Sequence, residues 1–155
     1  MRLILTPDQV SKGTNHGIIL AGDWCKTWGN KKLWNGSEPD VIPYHWDDRK
    51  KLYDDLLYLD GLYEKILKQL SISLNSIHGC NYSVRFWRII IGTWLSQFIC
   101  MYFDRYESII FANSYIDIDS VKIIRNNPKS FIINDSDHYI YVRSTDIYNY
   151  YLFKE

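Results

Sequence analysis

Apolar positions fall into two short runs, two long stretches and a mixed tail. Leu3-Ile4-Leu5 stops at Thr6-Pro7, and Ile18-Ile19-Leu20-Ala21 stops at Gly22. Continuous apolar runs of this length, closed by turn residues, predict buried strands. The polar, glycine-containing sequence between them makes them neighbours in one small sheet. From Asp23 to Tyr44 the chain mixes Gly, Asn, Lys, Trp and Pro without a period, which predicts a long loop. Loops of that length inside a compact domain are usually functional or disordered.

The next pattern is helical. Leu52, Leu56, Leu59, Tyr63, Ile66, Leu70, Leu74 and Ile77 recur every three or four positions, a stripe of about seven turns. Asp47 or Asp48 stands where an N-cap belongs, and Gly79 stands where a helix stops. Asp60-Gly61 lies inside the stripe and predicts a bend. A second helix is expected from Ser83 and carries Trp87, Ile90, Ile91, Trp94, Leu95, Phe98, Tyr102, Phe103, Tyr106 and Ile110. The short link from Gly79 to Tyr82 predicts an antiparallel hairpin. Ile89–Phe103 carries no charge, but Arg88, Asp104 and Arg105 close it and a membrane span needs about 20 residues. It is therefore expected to be a core helix, covered on several sides, and no transmembrane segment is expected. Beyond Ala112, Tyr139–Arg143 predicts a strand, and Asp146 to Leu152 a helix capped by Thr145. The class is α/β: a small parallel sheet near the N-terminus with a long antiparallel helical hairpin.

Composition narrows the function. With 155 residues, one domain over 1–155 is the expectation. Lys+Arg and Asp+Glu are both 18, and a neutral chain argues against a nucleic-acid partner. Rings are abundant, with 13 Tyr, 6 Trp and 6 Phe, enough for a core and a stacking surface. Cys25, Cys80 and Cys100 form no C-x-x-C pair, so neither a disulfide framework nor a zinc ribbon is expected. The first residues lack the apolar run of a signal peptide, and a reduced, cytoplasmic setting is the expectation.

Several clusters could carry chemistry. Tyr44-His45-Trp46-Asp47-Asp48-Arg49 gathers an imidazole, two carboxylates, a guanidinium and two rings at a loop-to-helix junction. It suits a general base or a sugar hydroxyl; equally, Asp47 and Asp48 cap the helix and Trp46 staples it. No second His or Glu stands at a ligand spacing, so no metal is expected. Arg85 and Arg88 share a face in the first helical turn, where the dipole disfavours cations. They suit a phosphate or carboxylate, or else a salt bridge to Asp47, Asp48 or Asp104. Gly22-Asp23-Trp24-Cys25 follows the second strand, where ligands gather in open α/β sheets. Cys25 is a nucleophile only if a base lies beside it. His78 ends its helix, as a dipole-favoured cap or a ligand contact. Asp117-Ile118-Asp119 and Asp135-Ser136-Asp137 mimic a D-x-D metal motif, but Asp is so common here that about one such triplet arises by chance. No phosphate-loop, dinucleotide or hydrolase-elbow motif occurs.

Read in order, Leu3-Ile4-Leu5-Thr6, Gly22-Asp23-Trp24-Cys25, the Tyr44–Arg49 string, Leu74-Asn75 with Ile77-His78-Gly79, Ser83 with Arg85-Phe86-Trp87-Arg88-Ile89, Ile91-Gly92-Thr93-Trp94-Leu95 and Phe103-Asp104-Arg105 resemble a known pattern. It is that of the N-terminal region of a family of transferases from bacterial surface-carbohydrate gene clusters, distantly glycosyltransferase-like. The resemblance is strong over 1–113 and thin afterwards, where Asp146 and Asn149 match a late Asp-x-x-Asn. The family tends to have Glu where Asp23 stands and Pro where Thr93 stands, and its members are several times longer.

The resemblance implies the GT-B-like, acceptor-side first half of a two-domain glycosyltransferase of surface polysaccharide biosynthesis. The expected partners are a sugar nucleotide or glycan acceptor, a C-terminal catalytic half and the membrane periphery, with no cofactor. His45, Asp47 and Asp23 are the catalytic candidates. Asp48, Arg49, Arg85, Arg88, Trp24, Trp46 and His78 are the substrate-binding ones. The alternative is a non-catalytic carbohydrate-binding or assembly module, in which Trp24, Trp28, Trp34 and Trp46 stack on sugar rings.

Overall fold

A computed structural model describes residues 1–10, 17–34, 39–125, 127 and 131–155, with only the backbone of 33 and 34. In chain order the elements are β1 (Arg2–Ile4), β2 (Ile18–Leu20), β3 (Asp40–Val41), α1 (Arg49–His78), α2 (Val84–Tyr115), β4 (Ser120–Val121), α3 (Ser136–Val142) and α4 (Asp146–Lys154). The class is α/β and mostly helical. The chain forms two compact units: Met1–His45 with Arg105–Glu155, and Trp46–Asp104.

The first unit is built on a parallel sheet ordered β3-β2-β1-β4. Leu3 pairs with Ile19 and Val121, and Leu20 with Ile4 and Val41. Alternation along the strands splits the two apolar runs between two faces. Leu3, Leu5, Ile19 and Ala21 meet Ile42, Ala112 of α2, and Tyr150 and Phe153 of α4. Ile4, Ile18 and Leu20 face Cys25 on the other side. Burial on both faces explains why these strands read as unbroken apolar runs rather than as alternating ones.

Tyr139–Arg143, expected as a strand, is the body of α3. Asp135 caps it by accepting from His138 N at 2.7 Å. Tyr139 and Val142 are buried while Ile140 and Tyr141 are exposed, a three-residue spacing that a strand cannot give.

In the second unit α1 runs without interruption through Asp60-Gly61. Asp48 caps it, its Oδ1 accepting from Lys50 N at 2.9 Å and Lys51 N at 3.2 Å. Gly79 ends it at φ 60°, the left-handed turn glycine adopts without strain. Ser83 starts α2, its hydroxyl accepting from Phe86 N. Leu59, Leu67, Trp87, Leu95 and Ile99 form the core between the two helices. Asn75 ties their link: its Oδ1 accepts from Tyr82 N at 3.0 Å and Trp87 Nε1 at 2.9 Å, and its Nδ2 donates to Tyr82 O at 2.9 Å.

Helix α2 is not covered on several sides as its apolar composition led us to expect. Ile89 is 74% and Ile90 60% exposed. In this unit α2 packs along one seam on α1, and a single seam buries only one face. Among the described residues it is the one helix long and apolar enough to cross a membrane, judged by length and composition.

Candidate functional site

The chain leaves β1 through Leu5-Thr6 into a single 3-10 turn, Pro7–Gln9. Gln9 is fully buried. Its Oε1 accepts from the Leu5 and Thr6 amides, and its Nε2 donates to Lys122 O at 2.6 Å. That clamp fixes the exit of β1 against the segment following β4. The chain leaves β2 through Gly22 into a second 3-10 turn, Asp23–Cys25. The Trp24 ring lies directly on Gly22, where a Cβ would come within 2.0 Å of it. Its indole N–H donates to Leu5 O at 2.9 Å. Beyond this turn the Thr27 hydroxyl donates to Asn30 Oδ1, and Asn30 Nδ2 donates to Cys25 O at 3.2 Å.

These two exits and the start of α4 border an open cleft of about 420 Å³ lined by Asp8, Val10, Thr27, Gly29, Asn30 and Asp146. It sits beyond the carboxyl ends of β1 and β2. The chain builds β2 and β3 on one side of β1 and later adds β4 on the other. The reversal lies between β1 and β4, one strand away from the β1–β2 side that the cleft occupies. What the cleft shares with ligand sites of parallel sheets is its place beyond strand carboxyl ends.

Asp146 opens α4, behind Thr145, whose hydroxyl accepts from Tyr148 N. Asp146 is an exposed residue; partial loss of water around its carboxyl, and then the charge of Asp8, raise its pKa above the ordinary 3.8. A carboxyl that holds its proton more tightly than usual, beside a second carboxylate and an amide, is suited to gripping hydroxyl groups and accepting a proton from one. Three residues on, Asn149 turns the other way. Its Oδ1 accepts from Arg105 Nε at 3.1 Å and Nη2 at 2.6 Å, and its Nδ2 donates to the carbonyls of Arg143 and Thr145. The Asp-x-x-Asn string thus places Asp146 in the cleft and uses Asn149 to lock the helix beneath it.

The residues singled out in the sequence divide between the units. In the sheet unit, Asp23 is exposed, 3.8 Å from Lys26 Nζ. His45 is buried at the carboxyl end of the β3 segment. Its ring stands 4.8 Å from that of Tyr44, which meets Trp24 edge-on at 6.4 Å. Trp24, Tyr44 and His45 are therefore one aromatic group. Cys25 is fully buried, and burial pushes its thiol up to about 12. It is a packing residue, not a nucleophile. Trp28 is 84% exposed with Lys31 Nζ 4.8 Å from its ring. The Trp34 side chain lies outside the described residues.

In the helical unit, Asp48 is the cap described above, and Asp47, Arg49 and Arg85 are exposed. Trp46 Nε1 donates to Asp55 Oδ2 at 2.8 Å, an oxygen that Lys51 Nζ also reaches at 2.6 Å. Arg88 closes a two-pronged pair with Glu64, Nη2 to Oε2 at 2.7 Å, and lies 5.7 Å over the Tyr63 ring. Its partner is thus Glu64, not the expected Asp47, Asp48 or Asp104. The pair holds Glu64 below the usual carboxylate range. His78 stacks on Trp87 at 5.9 Å.

Asp8, Asn30 and Asp146 are not among the candidates that the sequence offers. Ligands gather beyond strand carboxyl ends, and Asp8, next to Thr6-Pro7, holds that place after β1 as Asp23 does after β2.

Comparison with curated proteins and with solved structures gave no match. A family model for the LIC12162 family transferases matches residues 1–155, the length of the chain. The chain accordingly belongs to the LIC12162 family of transferases.

Proposed function

We propose that the sheet-end cleft binds the sugar substrate of a glycosyltransferase acting in surface polysaccharide biosynthesis on the cytoplasmic side, at the membrane periphery. The observation that carries this is the pair Asp8 and Asp146 with Asn30 beyond the carboxyl ends of β1 and β2 in a parallel sheet. In this reading Asp146 accepts the proton of an acceptor hydroxyl as its oxygen attacks the sugar C1 and the nucleoside diphosphate departs. Asp8 and Asn30 hold neighbouring hydroxyls. His45 and Asp23, at the ends of β3 and β2, are the further catalytic candidates. Arg85, whose guanidinium makes no pair among the described residues, is the cation for a phosphate. The chain is the GT-B-like, acceptor-side first half, with α1 and α2 as an antiparallel hairpin, and a second half supplies the nucleotide site.

The test is a titration of the chain with glucose oligomers and with UDP-glucose, followed by amide resonances. Saturable shifts at Asp8, Asn30 and Asp146 that disappear in Asp146→Asn support the reading. Binding that ignores the substitution refutes it. The exposed Trp28 face favours a second reading, a glycan-binding module without turnover. Saturable glycan binding abolished by Trp28→Ala and unaffected by Asp146→Asn selects it.

A further inference from the structure

The helical unit holds a second cleft that the assignments above do not use. It opens between α1 and α2, with a volume of about 590 Å³, in the range of small-molecule sites. Buried Leu59 and Ile99 and the Tyr63 ring give it an apolar wall. Asp60 of α1 and Thr93, Ser96 and Gln97 of α2 line the rest. None of these four side chains makes a hydrogen bond or ion pair among the described residues.

Their placement runs against the pattern of the helix. Residues 89–103 form the uncharged stretch of the chain, and Thr93, Ser96 and Gln97 are its aliphatic hydroxyls and its amide. All three line the open cleft, Thr93 and Ser96 exposed in it and Gln97 half-buried, while Ile89 and Ile90 of the same helix are exposed outside it. The polar side chains are thus gathered on the cleft side of the helix rather than spread over its exposed surface. The cleft is also shaped by a missing atom. A Cβ on Gly92 would lie 2.7 Å from the Tyr63 hydroxyl, so glycine is what admits the phenol to the floor. The Arg88–Glu64 pair cancels its own charge at the border, and the Asp60 carboxylate is left as the unbalanced charge.

We infer that this cleft binds a hexose-sized polyhydroxylated ligand, neutral or carrying an ammonium group. Hydroxyls and amides both donate and accept, as sugar hydroxyls do, so three such side chains on successive turns match a ring bearing several. The Tyr63 ring and the aliphatic wall take the apolar face of the sugar. Asp60 favours an amine and opposes a carboxylate.

Glucosamine, glucose and glucuronate titrated separately into the intact chain test this, read by amide resonances and by alkylation of Cys100, which lines the cleft. Glucosamine is expected to shift the amides of Thr93, Ser96 and Gln97 saturably, to bind more tightly than glucuronate and to slow Cys100 alkylation. Asp60→Asn and Gln97→Leu each weaken it by about tenfold; Ser96→Ala weakens it in the same direction. Asp146→Asn leaves it unchanged, which separates this site from the sheet-end cleft. The inference is overturned if glucosamine gives no saturable shift at those amides, if glucuronate binds as tightly, or if the Asp60 and Gln97 variants bind like the parent with an otherwise unchanged spectrum.

Discussion

At the scale of single residues, environment decides what each group can do. Asp146 is a carboxyl made more basic by partial loss of water and by Asp8, although the residue is exposed. Its proton is held more tightly in the folded chain than in the unfolded one, so ionising it costs stability. Below the ordinary 3.8 both states are protonated and the cost is absent. It grows as pH rises through the folded value and is complete above it. Asp146→Asn is therefore expected to melt higher than the parent at pH 7 and to lose that advantage near pH 3; scanning calorimetry at the two values checks it. Equal melting temperatures at pH 7 would place the carboxyl in ordinary solvent. Gly22 is constrained by space, not by backbone angle. An added Cβ would run into the Trp24 ring, so Gly22→Ala should cost about 1–3 kcal/mol. The expected sign is a lower urea midpoint together with altered Trp24 fluorescence.

At the scale of elements, caps and hubs hold the helical unit. Asp48→Ala removes the acceptor for two amides of the first turn of α1 and should cost about 1 kcal/mol in a denaturant titration. Asn75→Ala removes the bonds that fix the link into α2. A loss of about 1–3 kcal/mol is expected, because the Trp87 indole N–H is left without its acceptor. Caps of three helices were legible: of Asp47 and Asp48 it is Asp48 that starts α1, Gly79 ends it, Ser83 starts α2 and Thr145 starts α4. Helix α3 was not, because Tyr-Ile-Tyr-Val has the composition of a strand, and the Asp135 cap together with the spacing of Tyr139 and Val142 decided otherwise. Local propensity yields to which side chains find a core.

At the scale of the whole molecule, short apolar runs announced the parallel sheet because strands buried on both faces need no alternation. Composition misled where it was most uniform. The apolar stretch of α2 looked like a core, yet its polar residues line a cleft and Ile89 and Ile90 meet solvent, while Ile99 is buried. Of the cleft, Asp146 entered the sequence reading only as part of a thin Asp-x-x-Asn match and not as a site residue. Asp8 and Asn30 were not legible, since only the folded exits of β1 and β2 bring them beside Asp146. Asn75 and Arg88, conspicuous as strings, serve first to join α1 to α2.

The most direct test is the amide-resonance titration of the chain with a glycan acceptor, run on the parent and on Asp146→Asn. The predicted result is saturable shifts clustered at Asp8, Asn30 and Asp146 in the parent and lost in the variant. Shifts confined to residues away from the carboxyl ends of β1 and β2, or identical in the two proteins, would contradict it.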